Sequence, residues 1–303
     1  MKTLLLIDAN SLLHRAYHAL PPLTARDGSP AGALYGVAKI MNKILREEKP
    51  EYVAACFDRP EPTFRDEEFA EYKAQRPETD GELITQLIAS HDLFRALGVR
   101  VFDQAGFEAD DCIATLANRF AATEDLQTVI LTGDRDTLQL VRDDRVVVRA
   151  PKKGISETKI YDENTIREEY GLSPQQIVDY KALSGDPSDN IRGVPGVGPK
   201  TAIALISKYG SVEKILAHPE DPATAKVASQ RAAAEQSKRL VTLRDDAPLA
   251  ADSLEDLAVR EDDLDREAYF SQLGFKSLTA GGAGSGDNVK KAVPQGPPQG
   301  TMF

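Results

Sequence analysis

A chain of 303 residues, 41% hydrophobic and 28% charged, can bury a large core in two domains, and none of its apolar runs approaches the length a membrane span needs. Its two cysteines, Cys56 and Cys112, lie in apolar contexts without CxxC or Cys/His spacing, which argues against a disulfide framework or a structural zinc site. The net charge of −11 speaks at first sight against a polyanionic partner, but setting aside nine acids at element ends leaves −2, so only local clustering is informative.

Leu4 to Ile7 is too short for a signal segment, so the chain is expected to be cytoplasmic. Thr3 to Ile7 reads as a strand ending in Asp8, and Leu12, Leu13, Ala16 and Tyr17 follow at helical spacing. This strand, loop and helix open a parallel α/β sheet and place Asp8 at a strand's carboxyl end, where such folds build their sites. A helix cap is the plainer role for the same residue. No second Asp follows two residues on, which disfavours an aspartyl-nucleophile phosphatase.

Residues 21 to 32 read as a loop, and Ala33 to Glu47 as a helix with Leu34, Val37, Ile40, Met41, Ile44 and Leu45 on one face. Tyr52 to Phe57 is a second buried strand, ending in Asp58. Beyond it Arg65, Lys73 and Arg76 interleave with Phe64, Phe69 and Tyr72, a composition suited to meeting a nucleic-acid strand. Asp66, Glu67, Glu68 and Glu71 share that segment and suit a solvated amphipathic helix equally well. Residues 82 to 97 form another helix, and Val99 to Phe102 a short strand.

Glu108, Asp110 and Asp111 then stand within four positions, ahead of Cys112, Ile113 and Leu116 at helical spacing. Acids suit the positive end of a helix. Charges about 4 Å apart nevertheless repel by roughly 4 kcal/mol at an effective dielectric near 20, and a divalent cation would offset that. Gln127 to Leu131 is a third buried strand, followed by Thr132-Gly133-Asp134-Arg135-Asp136, and Val146 to Arg149 is a further one. From Asp162 the pattern turns helical, with helices over Asp162 to Tyr170 and from Ser173 to about Leu183. Asp186 and Asp189 follow in a loop. Gly193, Gly196 and Gly198 form a tight hairpin ahead of Pro199, Lys200 and Thr201, whose backbone N–H groups can face a phosphate. The spacing is not that of a P-loop.

Taken together, these motifs resemble the 5′ nuclease (flap endonuclease) family, most closely the 5′–3′ exonuclease domain of bacterial DNA polymerase I and its stand-alone relatives. The matching stretches run in family order: Asp8 with Arg15 and Tyr17, Phe57-Asp58, Phe64-Arg65, Tyr72 to Pro77, Glu108 to Asp111, Thr132 to Asp136, Gly185 to Asn190, and the glycine hairpin. The resemblance implies a mostly parallel, PIN-like α/β sheet flanked by helices over residues 1–165, with an arch at about 60–90 over a single-stranded 5′ end. Residues 166–278 would be a helical region with a helix-hairpin-helix (H3TH) DNA-binding motif.

Residue by residue, the resemblance makes Asp8, Asp58, Glu108 and Asp110 ligands of one Mg²⁺. Asp111, Asp134, Asp136, Asp186 and Asp189 would hold or orient a second, and Mn²⁺ could substitute. Two such ions can activate a water and stabilise the leaving oxygen at phosphorus. Arg15, Lys73 and Arg76 would contact the scissile phosphate, Tyr17 would stack near the cleaved nucleotide, and Phe64 and Arg65 would contact DNA. Gly193, Gly196, Gly198, Lys200 and Thr201 would grip the duplex, with K⁺ at the hairpin. The substrates would be branched or nicked DNA, including 5′ flaps and RNA–DNA primers, cut by a monomer in replication and repair, with DNA polymerase I as a partner.

The sequence departs from the family at Arg192, at Pro199 and in Glu78 to Glu82, which lacks a Met-Pro pair. Residues 279–303 lie beyond the resemblance and read as a disordered linker. They end in Gln299-Gly300-Thr301-Met302-Phe303, which is similar to a sliding-clamp-binding peptide. A PIN-type ribonuclease and a non-catalytic DNA-binding module are the alternatives; the first has no need of the glycine hairpin, and the second no need of the acids.

Overall fold

The computed structural model describes residues 1–153, 157–260 and 266–279. In β1 (Lys2–Asp8), Leu4 and Leu6 enter one apolar core while Leu5 and Ile7 enter another, so the strand is buried on both faces. β2 (Tyr52–Phe57) divides in the same way, with Ala54 and Cys56 against Val53, Ala55 and Phe57. Strands that are apolar on both faces need helices on both. The remaining strands are β3 (Arg100–Asp103), β4 (Leu126–Leu131), β5 (Val146–Lys153) and β6 (Glu157–Tyr161).

The sheet order is β3-β2-β1-β4-β5-β6, parallel throughout except for β6, which pairs antiparallel with β5. The expected, mostly parallel sheet is present. β6 was not foreseen, because Glu157-Thr158-Lys159-Ile160-Tyr161 is short and mostly polar, as an edge strand tolerates. The chain runs outward through β2 and β3, then returns to the other side of β1. The switch point of the sheet therefore lies between the carboxyl ends of β1 and β4, where α/β sheets bind ligands.

α1 (Ala9–Ala19), α2 (Gly32–Glu47) and, after the short α3 (Phe64–Glu68), α4 (Gly81–Ala96) cover one face of the sheet. α5 (Ala109–Phe120) covers the other. Beyond α6 (Glu163–Tyr170) come α7 (Gln176–Ser184), α8 (Pro199–Tyr209), α9 (Val212–Leu216), α10 (Ala225–Ala228) and α11 (Arg231–Val241). Leu183, Val194, Ile206, Ile215 and Val241 give this helical part a core of its own.

Two expectations are corrected. The helical region does not extend over 166–278: from Leu243 the chain returns to the sheet. Leu243, Leu249 and Leu257 pack in the α5 core, and Phe270, from α12 (Arg266–Leu273), and Phe275 in the opposite one. The irregular apolar spacing of this return carries no helical period. Nor is the whole stretch 60–90 an arch. From Gly81 it is α4, where Leu83 and Gln86 are buried and the Gln86 amide oxygen accepts from Ala33 N at 2.7 Å. The possible clamp peptide lies outside the described residues. No helix among the described residues is long and apolar enough to cross a membrane.

Candidate metal centre

Asp8 leaves β1 as the N-cap of α1, its Oδ1 accepting from Ser11 N at 2.9 Å. Its Oδ2 accepts from Thr132 Oγ1 at 2.6 Å, and the same hydroxyl accepts from Asp134 N at 2.9 Å. One threonine thus ties together the two strand ends at the switch point. Asp58 leaves β2 exposed, its Oδ1 accepting from Ala109 N at 2.8 Å at the start of α5, so the acids at 108–111 are set against the strand ends.

Burial and the charge of Asp58 push Asp8 up to about 7. Asp110 is driven well above its ordinary value by burial and the charges of Glu108 and Asp111. Its Oδ1 is buried without a hydrogen-bond partner. Glu108 is also raised by burial, although Lys73 and Arg65 oppose the shift. Four carboxylates from three elements therefore face one cleft of about 640 Å³, a set of hard oxygen donors suited to a divalent cation.

The other wall comes from the turn after β4 and from the helical part. Asp134 turns its Oδ1 to Asp136 N at 2.8 Å, and burial raises its carboxyl against the charge of Lys181. Lys181, on α7, bridges Asp136 and Asp186, lying 2.6 Å from the latter. Burial alone would raise Asp186, but Lys181 and the two bonds from Ser188 hold it below its ordinary value. Asp189 accepts from Arg76 Nη2 at 2.7 Å and from the Tyr72 hydroxyl at 3.0 Å. That hydroxyl also lies 2.9 Å from Glu108 Oε2, and Lys73 pairs with Glu108 Oε1. Tyr72 and Lys73 thus join the two groups of acids.

The turn carrying them is laced to the loop after α7. Lys73 N donates to Asp189 O at 3.0 Å and Gln75 to Pro187 O at 3.0 Å, while Asn190 donates back to Glu71 O at 2.7 Å. Lys73 adopts a left-handed φ of 52°, unusual for a side chain with a Cβ, which this lacing holds in place.

Several expected contacts lie elsewhere. Arg65, expected on DNA, is 1% exposed and buried in ion pairs with Asp111 and Glu108. Asp111, expected near a metal, is fully buried with both oxygens bonded to Arg65. Its oxygens come within 4.8 Å of those of Glu108 and Asp110, yet they point at the guanidinium. Phe64 is packed by the guanidinium groups of Arg65 and Arg244, 4.6 and 5.4 Å from its ring centre. Arg15 stands beside the cleft and donates to Lys152 O at 3.2 Å. Tyr17 is half-buried next to it on α1, edge-on to His18.

The hairpin follows α7 and precedes α8. Gly193 has φ 65°, and a Cβ there would meet Gly185 N at 2.3 Å. Gly196 has φ 78°, and its carbonyl accepts from Lys226 Nζ at 3.0 Å. Gly198 caps α8 without a side chain, and Lys200 and Thr201 are exposed on its first turn.

Sequence reasoning missed the parts played by Thr132, Tyr72 and Lys181, and by His14, which lines the cleft. A lysine on a helix four residues ahead of Gly185-Asp186 was the one available signal for Lys181.

A family model described as "5′-3′ exonuclease, N-terminal resolvase-like domain" matches residues 3–171, and one described as "5′-3′ exonuclease, C-terminal SAM fold" matches 172–265. A 5′-3′ exonuclease of Aquifex aeolicus is 35% identical over 279 residues, covering 92% of this chain and 94% of that protein. DNA polymerase I of Bacillus caldotenax is 42% identical over 282 residues, 91% of this chain but 32% of the polymerase. The chain therefore spans about a third of that relative's length. Among solved structures, the T5 5′-exonuclease with bound zinc superposes with a TM-score of 0.68 at 23% identity, covering 88% of this chain and 96% of that one. The catalytic core of Rad2 in complex with DNA substrate does so at 0.56 and 16%, covering 90% and 88%. At these identities the structural likeness speaks to the fold.

Proposed function

The chain belongs to the 5′-3′ exonuclease family, and from that premise we propose that it hydrolyses DNA phosphodiesters near 5′ ends and flaps with two divalent ions. The observation that carries this reading is the convergence of Asp8, Asp58, Glu108 and Asp110 on the cleft at the switch point, with Asp110 Oδ1 buried and unpartnered. Hard carboxylate oxygens in this number suit Mg²⁺, with Mn²⁺ as a substitute. In this reading those four hold one ion, and Asp134, Asp136, Asp186 and Asp189 hold or orient the second. When bound, the ions supply Lewis acidity for water attack and for the leaving oxygen.

The chain's own residues do the rest. Lys73 and Arg76, fixed by the lacing to the 186–190 loop, present cations to the phosphate oxygens as negative charge grows on them. Arg15 on α1 stands beside the cleft and in this reading would meet the neighbouring phosphate, with Tyr17 of the same helix meeting the base. The N–H groups at the start of α8, with Lys200 and Thr201, would hold a duplex phosphate. A K⁺ at the hairpin would compete with Lys226 for the Gly196 carbonyl.

The substrates in this reading are 5′ flaps, nicked duplexes and RNA–DNA primers, which places the chain in replication and repair. The test is to cut labelled 5′-flap, nicked and gapped duplexes and single-stranded RNA side by side. Cleavage of the flap at its junction is expected; cleavage of the RNA alone would point to a ribonuclease.

We also propose that Gln299–Phe303 binds a sliding clamp with micromolar affinity, as suits a five-residue peptide. Deleting Met302 and Phe303 should abolish clamp binding and leave cleavage of naked flaps unchanged. Equal clamp binding by the shortened chain would rule the peptide out.

A further inference from the structure

A guanidinium has five N–H donors, and Arg65 uses all of them beneath the cleft. Nε donates to Leu240 O at 2.9 Å, and Nη2 to Thr242 O at 3.2 Å and Asp111 Oδ1 at 2.8 Å. Nη1 donates to Asp111 Oδ2 at 2.8 Å and to Glu108 Oε2 at 3.1 Å. Asp111 is equally committed. A carboxylate offers about four acceptor positions. Besides Arg65, Asp111 accepts from Glu108 N at 3.1 Å and Arg244 N at 2.8 Å. No position on it is left for an ion.

We propose that Arg65 and Asp111 form a buried positioning pair that sets the metal affinity of the centre by fixing the Glu108 carboxylate against the end of α11. The pair holds three separate segments in register: α3, the first turn of α5, and residues 240–244 where the chain turns back to the sheet. Glu108 faces the cleft with one oxygen already oriented by Arg65, so its geometry is set from behind. The inference rests on the functional reading above, since it presumes that Glu108 serves a metal. It reassigns Arg65 from a DNA contact, and Asp111 from a metal ligand.

Lysine cannot reproduce the arrangement, because a single ammonium with three donors does not span two carboxylates and two carbonyls. The test is Mn²⁺ binding to the full chain, read from the free-ion electron paramagnetic resonance signal, with thermal melting as the control for folding. Arg65→Lys keeps the charge and the stem. It is expected to fold and bind Mn²⁺ at least tenfold more weakly than wild type, with cleavage partly recovered at raised Mn²⁺. Arg65→Met combined with Asp111→Leu removes both charges together, a replacement that buried ion pairs often tolerate. It should melt near the wild-type temperature with the same weakened Mn²⁺ binding.

Either folded variant binding Mn²⁺ within twofold of wild type would overturn the proposal and leave the functional reading standing. Failure of both variants to fold would also overturn it, since the pair would then be a structural tie and nothing more. A wild-type chain that binds no Mn²⁺ would instead bring down the functional reading, and this inference with it.

Discussion

Asp8 shows most directly what the centre costs the fold. The unfolded chain releases its proton near 3.8, whereas burial and the Asp58 charge hold the folded carboxyl at about 7. Between those values the folded form keeps a proton that the unfolded form has lost. The contribution of Asp8 to stability therefore falls as pH rises from about 4 to 7, reaching an unfavourable plateau of about 4 kcal/mol in ion-free protein. Asp8→Asn retains an acceptor for Ser11 and removes the charge. In EDTA at pH 8 it should melt higher than wild type, and the gain should vanish below pH 4. Wild-type Mn²⁺ affinity should rise with pH through about 7, because the ion displaces that proton. A lower melting temperature for Asp8→Asn at pH 8 would refute the cost assigned to burying this carboxylate. Lys73 acts at the same scale but on the reaction. With its ammonium placed on Glu108 in the cleft, Lys73→Ala should slow single-turnover flap cleavage at least a hundredfold while changing flap affinity only a few-fold.

Among the elements, the hairpin and α8 make the opposite prediction to Lys73. Lys200 is exposed on the first turn of α8, away from the acids, so Lys200→Ala should weaken duplex binding and lower its salt slope by roughly one, with little effect on the cleavage step. Equal losses of rate and affinity in both lysine variants would erase the division between cleft and grip. The elements are also where the sequence was most legible. Leu4–Ile7 and Tyr52–Phe57 are continuous apolar runs because both sheet faces are covered, and each run stops at the acid it delivers. What stayed hidden depends on contacts distant in sequence. The Thr132 hydroxyl reaches Asp8 across 124 positions. Tyr72 and Lys181 look like surface residues until the 186–190 loop folds over them. An arginine beside an aromatic in an acidic segment reads the same whether it faces DNA or, like Arg65, lies beneath the cleft with its partners at 108, 111, 240 and 242.

For the whole molecule, the strand order explains why one cleft draws on residues as far apart as Asp8 and Asp186. The jump from β3 back across β1 to β4 opens the switch point. The helical part then closes over it through the lacing of residues 71–76 to 186–190. The return of residues 243–260 and 266–279 to both sheet cores fastens the two parts together. Six of the chain's acids, Asp8, Asp58, Glu108, Asp110, Asp134 and Asp186, line this cleft, and the proposed ions would offset part of the overall charge of −11. The most direct test is the initial rate of 5′-flap cleavage measured against Mg²⁺ concentration for wild type and Asp134→Asn. Two cooperating ions predict no cleavage in EDTA, a rate that rises more steeply than first order at low Mg²⁺, and an Asp134→Asn chain that binds flaps within threefold of wild type but turns over several orders of magnitude more slowly. Cleavage in EDTA, or near-normal turnover by Asp134→Asn, would contradict the account.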